Sequence, residues 1–146
     1  MQGHAQESVV PPDIARPDLI NPYQAWTALT SGLVVVQAFL AGYGLYKGNN
    51  DYFDYHEIVG GLFFIALLIQ IGMTWVLTRP GGIWRQHLLV QNGSILVFAV
   101  IQAWLGYNAS DSAISAASHF ALGVFICAYA GGVFSHAWQF RPHHVY

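Results

Sequence analysis

The sequence predicts an all-α integral membrane protein, an up-down-up-down four-helix bundle, from three observations. Hydrophobic residues make up 55% of the 146-residue chain and charged residues only 8%, against about 25% charged residues in an ordinary soluble domain. With so few charges, most of the protein surface must face lipid. Four apolar stretches each exceed the length of roughly 20 helical residues that crosses a bilayer. A glutamine, a glycine and a histidine recur in the same order in the two halves of the chain.

The four apolar stretches predict spans at residues 26–46, 56–78, 87–107 and 113–138. They lack the alternation of apolar and polar residues that marks membrane β-strands, so helices are the structure that satisfies their backbone in lipid. The short Arg79-Pro80-Gly81-Gly82 turn makes the second and third helices antiparallel neighbours. One transmembrane domain is therefore predicted over residues 23–140, between an extended polar arm at 1–22 and a tail at 141–146.

The arm contains prolines that disfavour helix. Asn21 is expected to cap the first helix, with Pro22 at its first helical position. No apolar core of a signal peptide precedes Asp18, so the first span is expected to act as its own insertion signal. The arm and the tail are expected to contact other subunits of a membrane complex.

Basic residues predict the orientation of the bundle in the membrane. One predicted end carries Arg16, Arg79, Arg85 and Arg141. The other end carries Lys47 alone among the basic residues, together with several acidic residues. The positive-inside rule then places both termini in the cytoplasm, as in a bacterial inner-membrane protein. The Lys47 end is the predicted outer end.

The repeat joins Gln37 to His56 in the first half of the chain and Gln102 to His119 in the second half, over 19 and 17 residues. A glycine also follows each glutamine, Gly42 in the first copy and Gly106 in the second. The two copies form hairpins of the same orientation, related by a pseudo-twofold axis along the membrane normal. The two histidines are then expected at one level, at the outer starts of the second and fourth helices. These helices are diagonal in the bundle, so the imidazoles can approach each other across the core.

Two imidazoles on opposite sides of a porphyrin give a six-coordinate haem b, which is suited to electron transfer. Gly60 and Gly123 each follow a histidine by four residues, one turn along the same helix face. Without a side chain there, a flat ring could lie close to the backbone. The two repeat glutamines, Gln37 and Gln102, are expected to form interhelical hydrogen bonds or to contact a cofactor edge, such as a propionate or a quinone carbonyl.

Other interpretations of these residues stay open. A lone His-x-x-x-Gly is also compatible with ordinary helix packing. The outer group Asp54, His56, Glu57 and His119 could instead bind a divalent metal ion. His87 and His136 form a weaker second pair at the inner end, which could hold a second haem. The repeat does not preserve this second pair, because Met73 stands where the first half would match His136, and capping or partner contact is the preferred interpretation.

The repeated Gln…Gly…His-x-x-x-Gly hairpin, over residues 33–136, resembles the half-units of the haem A synthase family and, more loosely, the diheme transmembrane cytochrome b proteins. In the synthase family each four-helix half holds a histidine pair that faces a haem, and the resemblance implies this role for His56 and His119. This chain has one such unit rather than two, and it lacks the acidic catalytic residue expected in the outer loop region of the synthase. The resemblance therefore concerns the architecture and the outer pair.

The predicted function is that of a small cytochrome-b-like electron-transfer subunit of a larger membrane complex, with haem b between His56 and His119 and a quinone as candidate partner. One alternative is a cofactor-free accessory subunit. Another is a pigment-binding subunit of a photosynthetic complex, with chlorophyll on a histidine and carotenoid on the aromatic faces. No catalytic residue is assigned. The sequence has no phosphate-cradling loop and no basic patch for nucleic acid.

Overall fold

The computed structural model describes residues 13–139 and contains four long α-helices in that range. They are α1 (Ile20–Lys47), α2 (Asp51–Leu77), α3 (Ile83–Tyr107) and α4 (Ala113–Trp138). Each helix packs against the next, and α4 packs against α1, so that α2 and α4 are diagonal. All four are long and apolar enough to cross a membrane. The prediction of an all-α, four-helix integral membrane protein is confirmed.

Three of the helices begin earlier than the predicted spans. The first residues of α1, α2 and α3 each precede the predicted start by more than one helical turn. The predicted limits were those of the apolar stretches, whereas helix formation continues into the polar and aromatic residues that flank them. The early start of α2 moves His56 away from the helix start, and His119 also lies inside its helix, because α4 begins at Ala113 as predicted. They are the sixth residue of α2 and the seventh residue of α4, within the second turn of each helix.

The prediction of an extended arm up to residue 22 is wrong for its last residues. A short 3-10 helix at Pro17–Leu19 leads directly into α1. Asn21 does not cap α1, because Leu19 stands at the capping position. Pro22 is accommodated within the first turn, where backbone N–H groups have no acceptor inside the helix. The predicted tail and residues 1–12 of the arm lie outside the described residues.

The described part of the arm, residues 13–16, docks against the turn between α2 and α3. Ile14 is buried there and pairs with Thr78 in an isolated antiparallel bridge. The backbone N–H of Ala15 donates to the Leu77 carbonyl at 2.8 Å. The carboxylate of Asp13 accepts from the N–H of Ile83 at 2.9 Å, at the first residue of α3. The arm therefore closes one end of its own bundle and supplies a cap to α3.

The turn itself follows from its sequence. The N–H of Gly82 donates to the Arg79 carbonyl at 3.2 Å. Pro80 occupies the second position of this four-residue turn, and Gly81 occupies the third with a φ of +78°. This left-handed backbone is accessible to glycine and disfavoured for other residues, and the pair matches the preference of a type II turn.

The buried core lies mainly toward one end of the bundle. We call the end that carries residues 13–16 and the Arg79–Gly82 turn the arm end, and the end that carries residues 48–50 and 108–112 the histidine end. One buried cluster closes the arm end, and a second occupies the middle of the bundle. Toward the histidine end, Gly44 is the one buried residue within the described stretches 35–62 and 100–125.

Candidate functional site

His56 on α2 and His119 on α4 meet across the bundle at the histidine end. Their ring centroids are 6.0 Å apart, and the ring planes are inclined by 72°. Both side chains are half-buried. The diagonal arrangement of α2 and α4 thus brings together two histidines that are far apart in the sequence.

The same backbone contact holds each imidazole. His56 Nδ1 lies 2.8 Å from the carbonyl oxygen of Gln37, and His119 Nδ1 lies 2.9 Å from that of Gln102. Because a carbonyl oxygen only accepts hydrogen bonds, Nδ1 must be the protonated, donating nitrogen. In a neutral imidazole the lone pair is then on Nε2. Donation from Nδ1 to a carbonyl is the arrangement that fixes a histidine as a metal ligand through Nε2.

The glycine that follows each histidine makes room for the glutamine of the same copy. A Cβ atom on Gly60 would lie 2.5 Å from Gln37 Nε2, and one on Gly123 would lie 3.1 Å from Gln102 Nε2. The space beside these glycines, predicted to accept a flat ring, holds the glutamine amides in this structure. Their packing against the glutamines is observed, and a contact with a ring stays a prediction.

In the second copy the glutamine and the histidine bond to each other in both directions. Gln102 Nε2 donates to the backbone carbonyl of His119 at 2.9 Å, while His119 Nδ1 donates to the backbone carbonyl of Gln102. This reciprocal pair ties α3 to α4. The predicted interhelical hydrogen bond of a buried glutamine amide is therefore present at Gln102. In the first copy, the backbone of Gln37 supplies the corresponding link to His56.

The two copies also differ in the residue that lies against the histidine ring. A Cβ atom on Gly106 would lie 2.9 Å from His119 Cε1 and 3.2 Å from Nδ1. The His119 ring therefore packs directly against the backbone of α3 at Gly106, where a side chain would leave too little space. Gly106 follows its glutamine by four residues, a position that Ala41 occupies in the first copy. Gly42 has open space around it. The pairing of Gly42 with Gly106 in the sequence was thus one residue out of register.

Apolar residues close the site on the side of the bundle centre. On each helix, the residue three positions deeper than the repeat glutamine or glycine is buried in the central cluster. These four residues are Val34, Phe63, Ala99 and Ile126. The histidines, glutamines and glycines of the repeat therefore lie together next to a layer formed by these four apolar side chains, which we call the apolar floor.

Acidic residues near the histidines do not form a metal-ion site with them. Within residues 13–139, no three His, Cys, Asp or Glu side chains are grouped so as to hold a metal ion. Glu57 instead accepts a hydrogen bond from the Tyr107 hydroxyl at 3.1 Å, which joins α2 to α3 at the edge of the site. The divalent-metal interpretation of Asp54, His56, Glu57 and His119 thus lacks a third converging ligand.

His87 and His136 are both exposed, at the arm end of α3 and α4. Their neighbours differ: the His87 ring packs against Trp84, with centroids 6.4 Å apart, whereas His136 Nδ1 lies 2.7 Å from Gln91 Nε2. A second cofactor site at this pair stays a prediction.

Comparison of the chain with protein families, with curated proteins and with solved structures finds no match in any of the three. The geometry of the histidine pair is therefore the basis on which a function is assigned. The resemblance to the haem A synthase half-unit stays a prediction from the sequence.

Proposed function

We propose that this chain is a cytochrome-b-like electron-transfer subunit of a membrane complex, with one haem b held between His56 and His119. The distance between the imidazoles is the observation that supports it. A metal–imidazole bond is about 2 Å long and the ring centroid lies about 1 Å behind its nitrogen, so two axial imidazoles on one metal ion have centroids about 6 Å apart. The separation in this protein is 6.0 Å.

The number of protein ligands favours a haem over a bare metal ion. Structural zinc sites use four protein ligands and catalytic sites three, whereas this site offers two histidine nitrogens. A porphyrin brings four nitrogens of its own, so a haem iron needs only the two histidines to become six-coordinate. When bound in this way, haem b supplies one-electron oxidation and reduction.

The protein groups around the histidines orient them for this role. The carbonyl oxygens of Gln37 and Gln102 fix which nitrogen carries the proton, and hydrogen bonding of this kind raises the basicity of Nε2. Both acceptors belong to helix backbones, so the rings are held by groups that move little. The apolar floor excludes water from the side of the bundle centre. The low local dielectric that results would influence the redox potential of a bound cofactor.

A quinol is a redox partner that can supply the donor missing from the remaining polar atom of the site. Gln102 Oε1 is buried and has no donor among the described residues. It cannot exchange places with Nε2, because Nε2 is needed to donate to the His119 carbonyl. An acceptor in this position suits a hydroxyl group, and a quinol brings one from within the bilayer. We infer that quinol or quinone exchanges electrons at the histidine end.

The arginines support an orientation with the arm end in the cytoplasm. Arg16, Arg79 and Arg85 all lie at the arm end, and Lys47 lies at the histidine end. By the positive-inside rule, the histidine end then faces the outer side of a bacterial inner membrane.

The visible spectrum of the purified full chain tests the proposal. We expect a Soret band and an α band that appears on reduction, and both should be lost in His56→Ala and in His119→Ala. His87→Ala and His136→Ala are the matched controls at the arm end and should keep the spectrum. Reduction by a quinol added to proteoliposomes tests the partner, since it should proceed in the wild type without another protein.

Other results of the spectroscopic experiment would favour one of the alternative functions or contradict the assignment of the ligands. Red-shifted chlorophyll bands would indicate a pigment-binding subunit. A folded, helical protein without visible absorption, after expression with ample haem, would indicate a cofactor-free accessory subunit. A haem spectrum that survives both His56→Ala and His119→Ala would show that the axial assignment is wrong.

A further inference from the structure

A second polar site lies inside the bundle, toward the arm end and away from the histidines. Tyr23, Gln70, Thr74 and Asn92 come from α1, α2 and α3, and each is 2% exposed or less. Gln70 Nε2 donates to Asn92 Oδ1 at 2.6 Å. Asn92 Nδ2 lies 3.3 Å from both the Tyr23 hydroxyl and Thr74 Oγ1. These four side chains form one connected cluster in the membrane-spanning part of the protein.

One atom of this cluster has no partner. The Asn92 amide uses its oxygen on Gln70 and its nitrogen on Tyr23 and Thr74. Thr74 Oγ1 donates to the Gln70 backbone carbonyl at 3.0 Å and lies 3.4 Å from the Tyr23 hydroxyl. Gln70 Oε1 is left buried without a donor among the described residues. Burial of an unpaired amide oxygen is costly, and more so in a bilayer than near water.

Reversing the amide groups does not remove the unpaired atom. Turning one amide alone would place two oxygens, or two NH₂ groups, 2.6 Å apart. Turning both amides keeps the Gln70–Asn92 hydrogen bond in the opposite direction. The unpaired atom of Gln70 is then an NH₂ nitrogen rather than an oxygen. In either arrangement the side chain of Gln70 requires one more partner.

We propose that Gln70 binds an internal water molecule at this position. Water both donates and accepts, so it satisfies either arrangement of the amide. Buried waters in proteins typically bind polar groups that would otherwise be unsatisfied. Each of the four side chains is 2% exposed or less, and water is the smallest ligand that can pair with a polar atom at such a position. The water completes a neutral polar link among α1, α2 and α3, and it does not depend on the proposed haem.

Nuclear magnetic resonance of the full chain in lipid nanodiscs tests this site through magnetisation transfer from water to side-chain amides. We expect transfer to the Gln70 amide. Gln24 is the matched control, because its amide is also buried in the arm half but donates to the Ala137 carbonyl at 3.0 Å. Transfer to Gln24 should be much weaker. The exposed Gln86 is the positive control for contact with bulk water.

Gln70→Met removes the amide but keeps a side chain of similar length. The amide signal that shows transfer from water in the wild type should be missing from this variant, which assigns that signal to Gln70, and the signal of Gln24 should be unchanged. If the variant does not fold, the comparison of Gln70 with Gln24 and Gln86 in the wild-type protein tests the proposal. Absence of transfer to Gln70, while Gln86 shows it, would overturn the proposal. A contact from lipid protons instead of water protons would also overturn it.

Discussion

The arm end and the histidine end of this bundle differ in the size and burial of their inward-facing side chains. At the arm end, large side chains are almost fully buried, including Tyr23, Leu77 and Leu88 at 1% exposure or less. Toward the histidine end, the inward positions carry histidine, glutamine and glycine, and these are only half-buried. The difference indicates that the two ends have different roles. Packing at the arm end and in the middle of the bundle holds the helices in register, and the histidine end, where we propose that a ligand binds, carries small and polar groups.

Polar groups show the same contrast. In the arm half, buried polar side chains bond mainly to one another or to backbone carbonyls, and the unpaired atoms left there belong to Gln70, Arg85 and Gln91. At the histidine end, each imidazole uses one nitrogen on a backbone carbonyl, and its Nε2 lone pair stays available for a ligand. A backbone acceptor is positioned by its helix. The packing of the helices therefore sets the positions of the two imidazoles at the histidine end.

The largest effect expected from this contrast is that of leucine truncation on stability. Leu88→Ala removes a fully buried side chain at the arm end and should lower the free energy of unfolding by about 2–5 kcal/mol. Leu105→Ala, on the same helix near the histidine end, removes a half-buried side chain and should cost clearly less. Unfolding in mixed micelles at increasing fractions of a denaturing detergent measures both. Equal losses would contradict the uneven distribution of packing.

A smaller effect is expected from filling the space beneath His119. A Cβ atom on Gly106 would lie 2.9 Å from the imidazole, and such overpacking typically costs about 1–3 kcal/mol. Gly106→Ala should displace the ring and break the bond from His119 Nδ1 to the Gln102 carbonyl. The ¹⁵N signals of the imidazole and the thermal unfolding midpoint report these changes. Gly42→Ala, in open space, is the control: it should leave the imidazole signals unchanged and should not lower the unfolding midpoint. An unshifted His119 ring in Gly106→Ala would refute the close seating on α3.

The smallest of these effects concerns the closure of the arm end. Asp13→Ala removes the carboxylate that accepts from the Ile83 N–H, and loss of a helix cap costs about 0.5–2 kcal/mol. Asp18→Ala removes a carboxylate that pairs with the exposed Arg16 and should change stability less, because water replaces an exposed ion pair readily. Thermal unfolding of the two variants in the same detergent compares them. A larger loss for Asp18→Ala would argue against the cap.

The repeat predicted the meeting of the two histidines but not the contacts that hold them. Its spacing placed His56 and His119 at one level on diagonal helices, which follows from chain direction and helix length. The bond from Nδ1 to the glutamine carbonyl depends on how far each helix is rotated, and no residue pattern reports a backbone acceptor. The four-residue spacing from Gln102 to Gly106 was a usable signal, yet it was aligned with Gly42 rather than with Ala41.

The arm was the least predictable element. Its prolines predicted an extended chain up to residue 22. Pro17 instead starts a short 3-10 helix, and Pro22 fits inside the first turn of α1. The docking of Ile14 and Asp13 could not be anticipated, because both contact a turn that lies far along the chain.

The sequence by itself determined four membrane-length helices, their alternating direction and the shared level of the two histidines. These features follow from the length of the apolar stretches, the short turns and the repeat spacing, all of which are properties of the chain read in order. Only the tertiary structure decided which nitrogen of each imidazole forms a hydrogen bond, which glycines have another side chain packed against them and which glutamine atoms are unpaired. Such outcomes depend on distances of a few ångströms between helices, and packing of the whole bundle sets those distances.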